Sequence, residues 1–166
     1  MAEVLFISED KLKSYAIAGN VDSTHILAHL KDAQRIYIES ALGTDLYQKL
    51  QADILAGSLT GNYEILVDDY IQDVLVHYST LQAIPHLAYR IENGNIYSKT
   101  SETGNALSVE ELGDLKASIK NTAEWYRARL VDYLCYNTDL FPEYSTNEDN
   151  DLKPSKTRYT NNMNLF

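Results

Sequence analysis

The stretch that decides the fold is residues 108–137, SVEELGDLKASIKNTAEWYRARLVDYLCYN. It opens with Ser108 and Glu111, whose spacing is that of a helix capping box. Apolar residues then recur at three- and four-residue spacing, which is typical of a helix that buries one face. These residues are Leu112, Leu115, Ile119, Ala123, Tyr126, Leu130 and Tyr133. The pattern predicts a helix of roughly 28 residues, about 40 Å long.

A second long helix is predicted upstream, from about Tyr63 to Arg90. Its apolar stripe consists of Leu66, Tyr70, Val74, Tyr78, Leu81 and Ala88. Pro85 lies inside this stretch and has no amide hydrogen for the helical bond, so we expect a kink there. Two helices of this length, packed antiparallel, would form the centre of an elongated helical bundle.

The chain before residue 63 shows the punctuation of shorter helices. Ser8 is placed to cap a first helix of about ten residues. A second helix begins at a capping residue within 22–24, and Gly43 ends it. A third helix follows and ends at Gly57, after which residues 57–62 have the composition of a loop.

Residues 91–107, between the two long helices, are not predicted to be helical. Asn93 and Gly94 are a strong β-hairpin turn signal, with apolar residues on both sides. We therefore expect a short inserted hairpin followed by a polar loop. The candidate contacts with a partner are Asn93, Gly94, Ile96 and Tyr97, and a solvated linker is the alternative.

After Tyr144 the chain loses its helical periodicity, and Ser, Thr, Asn and charged residues dominate. Such a stretch does not bury enough apolar surface to fold alone. The sequence thus predicts an all-α protein with two parts. Residues 1–144 form a helical domain that contains the inserted segment 91–107, and residues 145–166 form an extended C-terminal arm that becomes ordered only on a partner.

Charge is unevenly distributed along the 166 residues. The chain holds 14 Lys and Arg against 24 Asp and Glu, a net charge of −10. Three of the basic residues and none of the acidic ones lie in 152–166, so residues 1–151 carry 11 against 24, a net of −13. An acidic body would repel a polyanion, which argues against a nucleic-acid-binding protein. A basic arm is suited to an acidic protein surface.

No stretch approaches the roughly 20 apolar residues of a membrane span, and the N-terminus does not resemble a signal peptide. The single cysteine, Cys135, cannot form an internal disulfide. We expect a soluble protein that assembles inside the cell and contacts no membrane.

Patterns that could support catalysis or metal binding are weak. His25 and His29 are four residues apart, as in a two-histidine metal site, but the Glu that follows the first His of zinc proteases is absent. A solvated or hydrogen-bonded pair is the preferred interpretation. Cys135 lies among apolar residues of the long helix, so it is interpreted as a buried structural thiol.

The acidic residues of the upstream long helix, Glu64, Asp68, Asp69 and Asp73, are a second candidate. Dimetal sites in helical bundles need a Glu-x-x-His motif on two helices, and none is present. These carboxylates are interpreted as a solvated acidic face. We predict no catalytic residue, no metal and no cofactor.

Tyrosine is abundant, with 13 residues. It suits interfaces because it combines a large contact area with a polar end. Tyr144 and Tyr159 lie where the arm has no core of its own, so we interpret them as partner contacts, with local packing as the alternative. The predicted partner contacts of the arm are Tyr144, Lys153, Lys156, Arg158, Tyr159, Met163, Leu165 and Phe166.

Several short signatures occur in order along residues 7–144. They are Ile7-Ser8-Glu9-Asp10-Lys11-Leu12, Leu42-Gly43 with Leu46-Tyr47-Gln48-Lys49-Leu50, Ile91-Glu92-Asn93-Gly94-Asn95-Ile96, Trp125-Tyr126, Tyr133-Leu134-Cys135-Tyr136-Asn137 and Phe141-Pro142-Glu143-Tyr144. In this order they resemble the head-to-tail connector proteins of tailed bacteriophages, also called adaptor or ring proteins. The likeness is greatest to those of phages infecting gut Bacteroides.

The resemblance implies a subunit of a ring, usually twelvefold, that docks beneath the capsid portal. Such rings extend the DNA channel and provide the platform for the tail. The implied partners are the portal protein, neighbouring identical subunits and further neck and tail ring proteins, while DNA passes through without specific binding. The implied location is the virion neck, after assembly in the bacterial cytoplasm. A nucleic-acid-binding packaging or regulatory protein and a helical-bundle enzyme are the alternatives.

Overall fold

The computed structural model describes residues 4–8, 10–12, 23–92, 95–98, 108–148 and 151–156. These residues are mainly helical, which confirms the predicted class. Of the predicted first helix, residues 10–12 are described and are helical. The Lys11 backbone N–H donates to Ser8 Oγ at 3.2 Å, so Ser8 caps this helix as predicted.

The first helical run is built from three consecutive segments. They are α1 (Ser23–Ala33), a π-helical segment (Gln34–Glu39) and α2 (Ser40–Leu42). The run ends at Gly43, whose φ of 78° and ψ of 161° are a backbone conformation that glycine almost alone adopts. The predicted helix end at Gly43 is therefore confirmed.

Helix α3 (Thr44–Ala56) follows directly. It ends at Gly57, which has a left-handed backbone conformation. The Ser58 backbone N–H donates to the Asp53 carbonyl at 2.9 Å, and the Gly57 N–H donates to the Ile54 carbonyl at 3.1 Å. This pair of bonds is a Schellman motif, and it satisfies carbonyl groups that the helix end would leave unpaired.

The second helical run comprises α4 (Asn62–Leu66), a π-helical segment (Val67–Ile71) and α5 (Gln72–Ala88). Pro85 lies inside α5, and the kink predicted there stays a prediction. The predicted end at Arg90 is wrong by two residues because strand β1 (Tyr89–Glu92) begins directly after α5.

Strand β1 pairs antiparallel with β2 (Asn95–Ser98), with Ile91 opposite Ile96 and Arg90 opposite Tyr97. The structure thus has a short hairpin where the turn signal at Asn93 and Gly94 placed one.

Helix α6 (Val109–Tyr136) is the longest element. Ser108 Oγ accepts the Glu111 backbone N–H at 3.2 Å, and Glu111 Oε2 accepts the Ser108 N–H at 2.8 Å. The predicted capping box is confirmed, and the bond to the Ser108 backbone holds the pKa of Glu111 below its usual range. A 3₁₀ turn (Thr138–Leu140) and helix α7 (Pro142–Thr146) follow.

The core forms where α5 packs against both α1 and α6. Stacked rings join the helical runs: Tyr37 lies 3.6 Å from Tyr78 between centroids, and Tyr70 lies 4.0 Å from Tyr133. Each large apolar side chain that is fully buried contributes about 1.5–3 kcal/mol to folding. The largest are Tyr144, Phe141, Leu12, Leu30, Ile38, Leu42, Leu46, Leu50, Leu66, Ile71, Leu75 and Leu130.

Candidate assembly surfaces

The hairpin is positioned by the end of the second helical run, since β1 follows α5 without a linker. Two of the predicted contact residues, Ile96 and Tyr97, lie in β2, opposite Ile91 and Arg90. The turn residues Asn93 and Gly94 lie outside the described residues, as do residues 99–107 of the predicted loop.

Tyr144 is not a partner contact, and that prediction is wrong. Its side chain is 1% exposed and belongs to the core. Its hydroxyl lies 3.7 Å from Cys135 Sγ, and burial raises the pKa of the phenol. The physical reason is α7, a short helix that the sequence analysis did not predict and that carries Tyr144 back onto the bundle.

The described part of the arm, residues 151–156, is docked on the helical domain of its own chain, so for these residues the prediction that the arm becomes ordered only on a partner is wrong. The Thr44 backbone N–H donates to the Leu152 carbonyl at 3.0 Å, and the Leu152 N–H donates to Thr44 Oγ1 at 2.9 Å. The Ser155 N–H donates to the Ser40 carbonyl at 2.9 Å. The first amides of a helix have no partner within it, so the arm completes the N-terminus of α3.

Asn147 strengthens the same junction. Its Nδ2 donates to the Leu152 carbonyl at 3.1 Å, and its Oδ1 accepts the Asp45 backbone N–H at 3.4 Å. A Cβ on Gly43 would come within 2.6 Å of Asn147 Oδ1 and 2.7 Å of the Pro154 ring. Gly43 therefore has two roles: it ends the first helical run and leaves room for the arm.

The predicted basic contacts of the arm are described in part. Lys153 and Lys156 are exposed, and the Lys156 ammonium lies 5.5 Å from the centroid of the Tyr144 ring. The structure thus brings Lys156 and Tyr144 together within one chain. The other predicted contacts, Arg158, Tyr159, Met163, Leu165 and Phe166, lie outside the described residues.

Two aromatic residues on α6 were missed as candidate contacts. Trp125 is 62% exposed and Tyr136 is 84% exposed. They are three helical turns apart, roughly 16 Å along the axis, so they share one face of the helix. A signal was present in the sequence, because both residues lie off the apolar seam of this helix. We call the surface that carries Trp125 and Tyr136 the α6 outer face.

Arg129 ties α6 to the second helical run. Its Nη1 donates to the Asp69 carbonyl at 3.0 Å and lies 3.7 Å from the Asp73 carboxylate. Its guanidinium lies 4.3 Å from the centroid of the Tyr70 ring. Burial raises the pKa of Asp73, although Arg129 opposes this effect. Asp73 is thus an interhelical contact, while Glu64, Asp68 and Asp69 are exposed as predicted.

Cys135 was interpreted as buried, but it is exposed. His29 stacks on His86 with ring centroids 4.5 Å apart, and the side chain of His25 lies outside the described residues. Within the described residues, no three His, Cys, Asp or Glu side chains converge as they would around a metal ion. Among the helices that the structure describes, none is long and apolar enough to cross a membrane.

Together these features define a mainly helical protein with an inserted hairpin and a C-terminal arm whose residues 151–156 dock on the same chain. Residues 38–153 match the family of unknown function DUF6712, and the chain belongs to that family. The matched region includes Leu152 of the arm together with its partner Thr44. No protein of curated function and no solved structure matches the chain.

Proposed function

We propose that the chain is a structural, non-catalytic subunit of a tailed-phage virion neck. Copies of it would form a head-to-tail connector ring that docks beneath the portal, extends the DNA channel and carries the tail. The observation that carries this proposal is the α6 outer face, where Trp125 and Tyr136 stand exposed on a rigid helix. Exposed aromatic anchors on a regular element are typical of protein–protein contacts.

In this proposal the subunit is an elongated bundle with two long antiparallel helices. Two aromatic stacking contacts support the antiparallel arrangement. Tyr70 stacks on Tyr133, while His77, further along the chain, stacks on Tyr126. Moving from the first contact to the second, residue numbers increase along the second helical run and decrease along α6, as they do in an antiparallel pair. An antiparallel pair would place the hairpin at one end of the bundle, where it can reach a second molecule.

The order of sequence signatures along residues 7–144 supports the choice of a connector over another assembly. Each subunit would offer the α6 outer face on one side and the hairpin residues Ile96 and Tyr97 on another. Head-to-tail contacts of this kind close into a ring when the rotation between subunits divides a full turn. The portal would then act as the template that fixes the number of subunits, which we expect to be twelve.

The charge supports a channel that DNA crosses without binding. The chain has a net charge of −10, and like charges repel. Lys153 and Lys156 are exposed on the arm and would face an acidic neighbour, where they would mainly affect the rate of encounter.

The test is native mass spectrometry of the chain with the portal protein of the same genome. We expect the wild-type chain to form a stoichiometric ring on the portal. The double variant Trp125→Ser/Tyr136→Ser should keep its melting temperature and lose the ring, since both side chains are already exposed. Leu55→Ser is the matched control, because Leu55 is 64% exposed on α3. A double variant that assembles as well as the control would contradict the proposal.

A further inference from the structure

The N-terminal segment, residues 4–7, is bound by glutamine side chains rather than by backbone. Gln34 accepts the Phe6 backbone N–H at 2.9 Å through Oε1 and donates to the Val4 carbonyl at 2.9 Å through Nε2. Gln51 accepts the Val4 N–H at 2.6 Å and donates to the Val4 carbonyl at 2.5 Å. Gln72 donates to the Phe6 carbonyl at 3.0 Å. Both backbone polar groups of Val4 and of Phe6 are therefore satisfied by amide side chains.

These three glutamines come from three different parts of the fold, and we call them the glutamine clamp. Gln34 opens the π-helical segment of the first run, Gln51 lies in α3, and Gln72 opens α5. Apolar side chains of the segment complete the binding: Phe6 and Ile7 are buried, and the Phe6 ring lies 5.2 Å from the Tyr47 ring. This is how a protein binds a peptide ligand, through backbone hydrogen bonds and pockets for a few side chains.

Both π-helical segments of the described residues adjoin the clamp. Gln34 begins the first, Gln34–Glu39, and Gln72 follows directly after the second, Val67–Ile71. A π-helical turn is rare and occurs frequently at functional sites. The helical backbone is thus distorted at the two places where it presents a glutamine to the N-terminal segment.

The clamp also offers an acceptor that residues 4–7 leave unused. Gln72 is 8% exposed, and no donor among the described residues reaches its Oε1. The amide cannot be turned around, because Nε2 already donates to the Phe6 carbonyl and to Asp68 Oδ1 at 2.8 Å. Buried polar atoms are normally paired, so this acceptor is an exception among the otherwise paired amide groups of the clamp.

We propose that the glutamine clamp is an exchangeable peptide site that takes residues 4–7 of a second copy of this chain. Every copy carries both the segment and the clamp, so an exchange recreates the same contacts without a new interface. An empty clamp would leave buried amides unpaired, which keeps it occupied by one copy or another. The ten residues 13–22 can span at most roughly 33–36 Å, so the segment could reach the clamp of a molecule that lies within that distance. The inference goes beyond the connector role and does not depend on it.

The test uses two full-length variants with complementary defects. Phe6→Asp disrupts binding by the N-terminal segment and leaves the glutamine clamp intact. Gln34→Leu disrupts the clamp and leaves the segment intact. After co-refolding of the mixture, we expect native mass spectrometry to show a species that contains both variants. We also expect a melting transition above that of either variant alone. A mixture that melts as the sum of its components, with no mixed species, would overturn the proposal.

A second measurement covers the case in which the variants fold poorly. A labelled synthetic peptide of residues 1–12 is titrated into the wild-type and the Phe6→Asp chains, and its anisotropy is followed. We expect saturable binding that is at least roughly tenfold tighter to Phe6→Asp, because the wild-type segment competes from within its own chain. The peptide should also raise the helical circular dichroism of Phe6→Asp, and a peptide carrying the same Phe6→Asp change should do neither. Absence of saturable binding to both chains would refute the exchangeable site.

Discussion

His77 lies half-buried between two helical runs, with its ring stacked on Tyr126 at 4.9 Å. Burial lowers its pKa from the ordinary value of 6.5, and the nearby Asp73 carboxylate only partly opposes this. The unfolded chain therefore binds the proton more readily than the folded chain does. The stability that neutral His77 contributes is present above pH 6.5 and is lost as the pH falls through the lowered folded-state pKa.

The variant His77→Phe keeps a stacked ring and removes the titration. We expect its free energy of unfolding to fall less than that of the wild type when the pH is lowered from about 7.5 to about 5.5. Urea unfolding at both pH values measures the two differences. An equal fall in both proteins would show that the environment of His77 does not disfavour the charged form.

The sequence could not reveal such residues, because burial of a charged group depends on contacts between helices. Asp73 has the same local pattern as Asp68 and Asp69, and only the position of Arg129 on α6 distinguishes it. Trp125 differs, because its position off the apolar seam of α6 can be read from the sequence and indicates an exposed side chain.

Among the structural elements, the helices could be predicted from local sequence, whereas the docking of the arm could not. The cap at Ser108 and the helix ends at Gly43 and Gly57 depend on residues within a few positions of each other, which a sequence displays directly. The arm pairs Leu152 with Thr44, which is 108 residues away. Such a contact has no local signature, and the polar composition of the arm suggested that it would remain undocked.

Gly43→Ala tests the junction of the arm with the two helices. A Cβ there would press on Asn147 and Pro154, so we expect it to lower the free energy of unfolding by about 1–3 kcal/mol more than Gly61→Ala does. Gly61 is the matched control, because its φ is also positive but a Cβ would meet nothing within 4 Å. Thermal or urea unfolding measures both. Equal losses would mean that the arm does not press on Gly43.

Two truncations separate the docked part of the arm from its end. Truncation after residue 150 removes the hydrogen bonds that Leu152 and Ser155 make to Thr44 and Ser40. At about 0.5–1.5 kcal/mol for each of the three bonds, we expect a loss of roughly 1.5–4.5 kcal/mol in the free energy of unfolding. Truncation after Lys156 keeps these bonds and should leave the melting temperature unchanged. If the two truncated chains had the same melting temperature, the docking of the arm would contribute nothing to the stability of the fold.

The hairpin is the element that we propose to contact another subunit when the complete molecule assembles. Ile96→Asp should leave the helical circular dichroism and the melting temperature of the free chain nearly unchanged and should prevent assembly. A charged side chain buried in an interface without a partner is costly, which is the reason for the expected loss. Leu55→Asp is the control that should still assemble, because the Leu55 side chain is exposed on α3. Unfolding of the Ile96 variant would place the hairpin in the core instead.

Electron microscopy of the complex co-purified with the portal protein shows whether copies of this chain form a ring there. We expect a closed ring of identical subunits, coaxial with the portal, with the α6 outer face in contact with a neighbouring molecule. A chain that stays monomeric or forms a dimer regardless of the portal, with no ring on the particle, would contradict it.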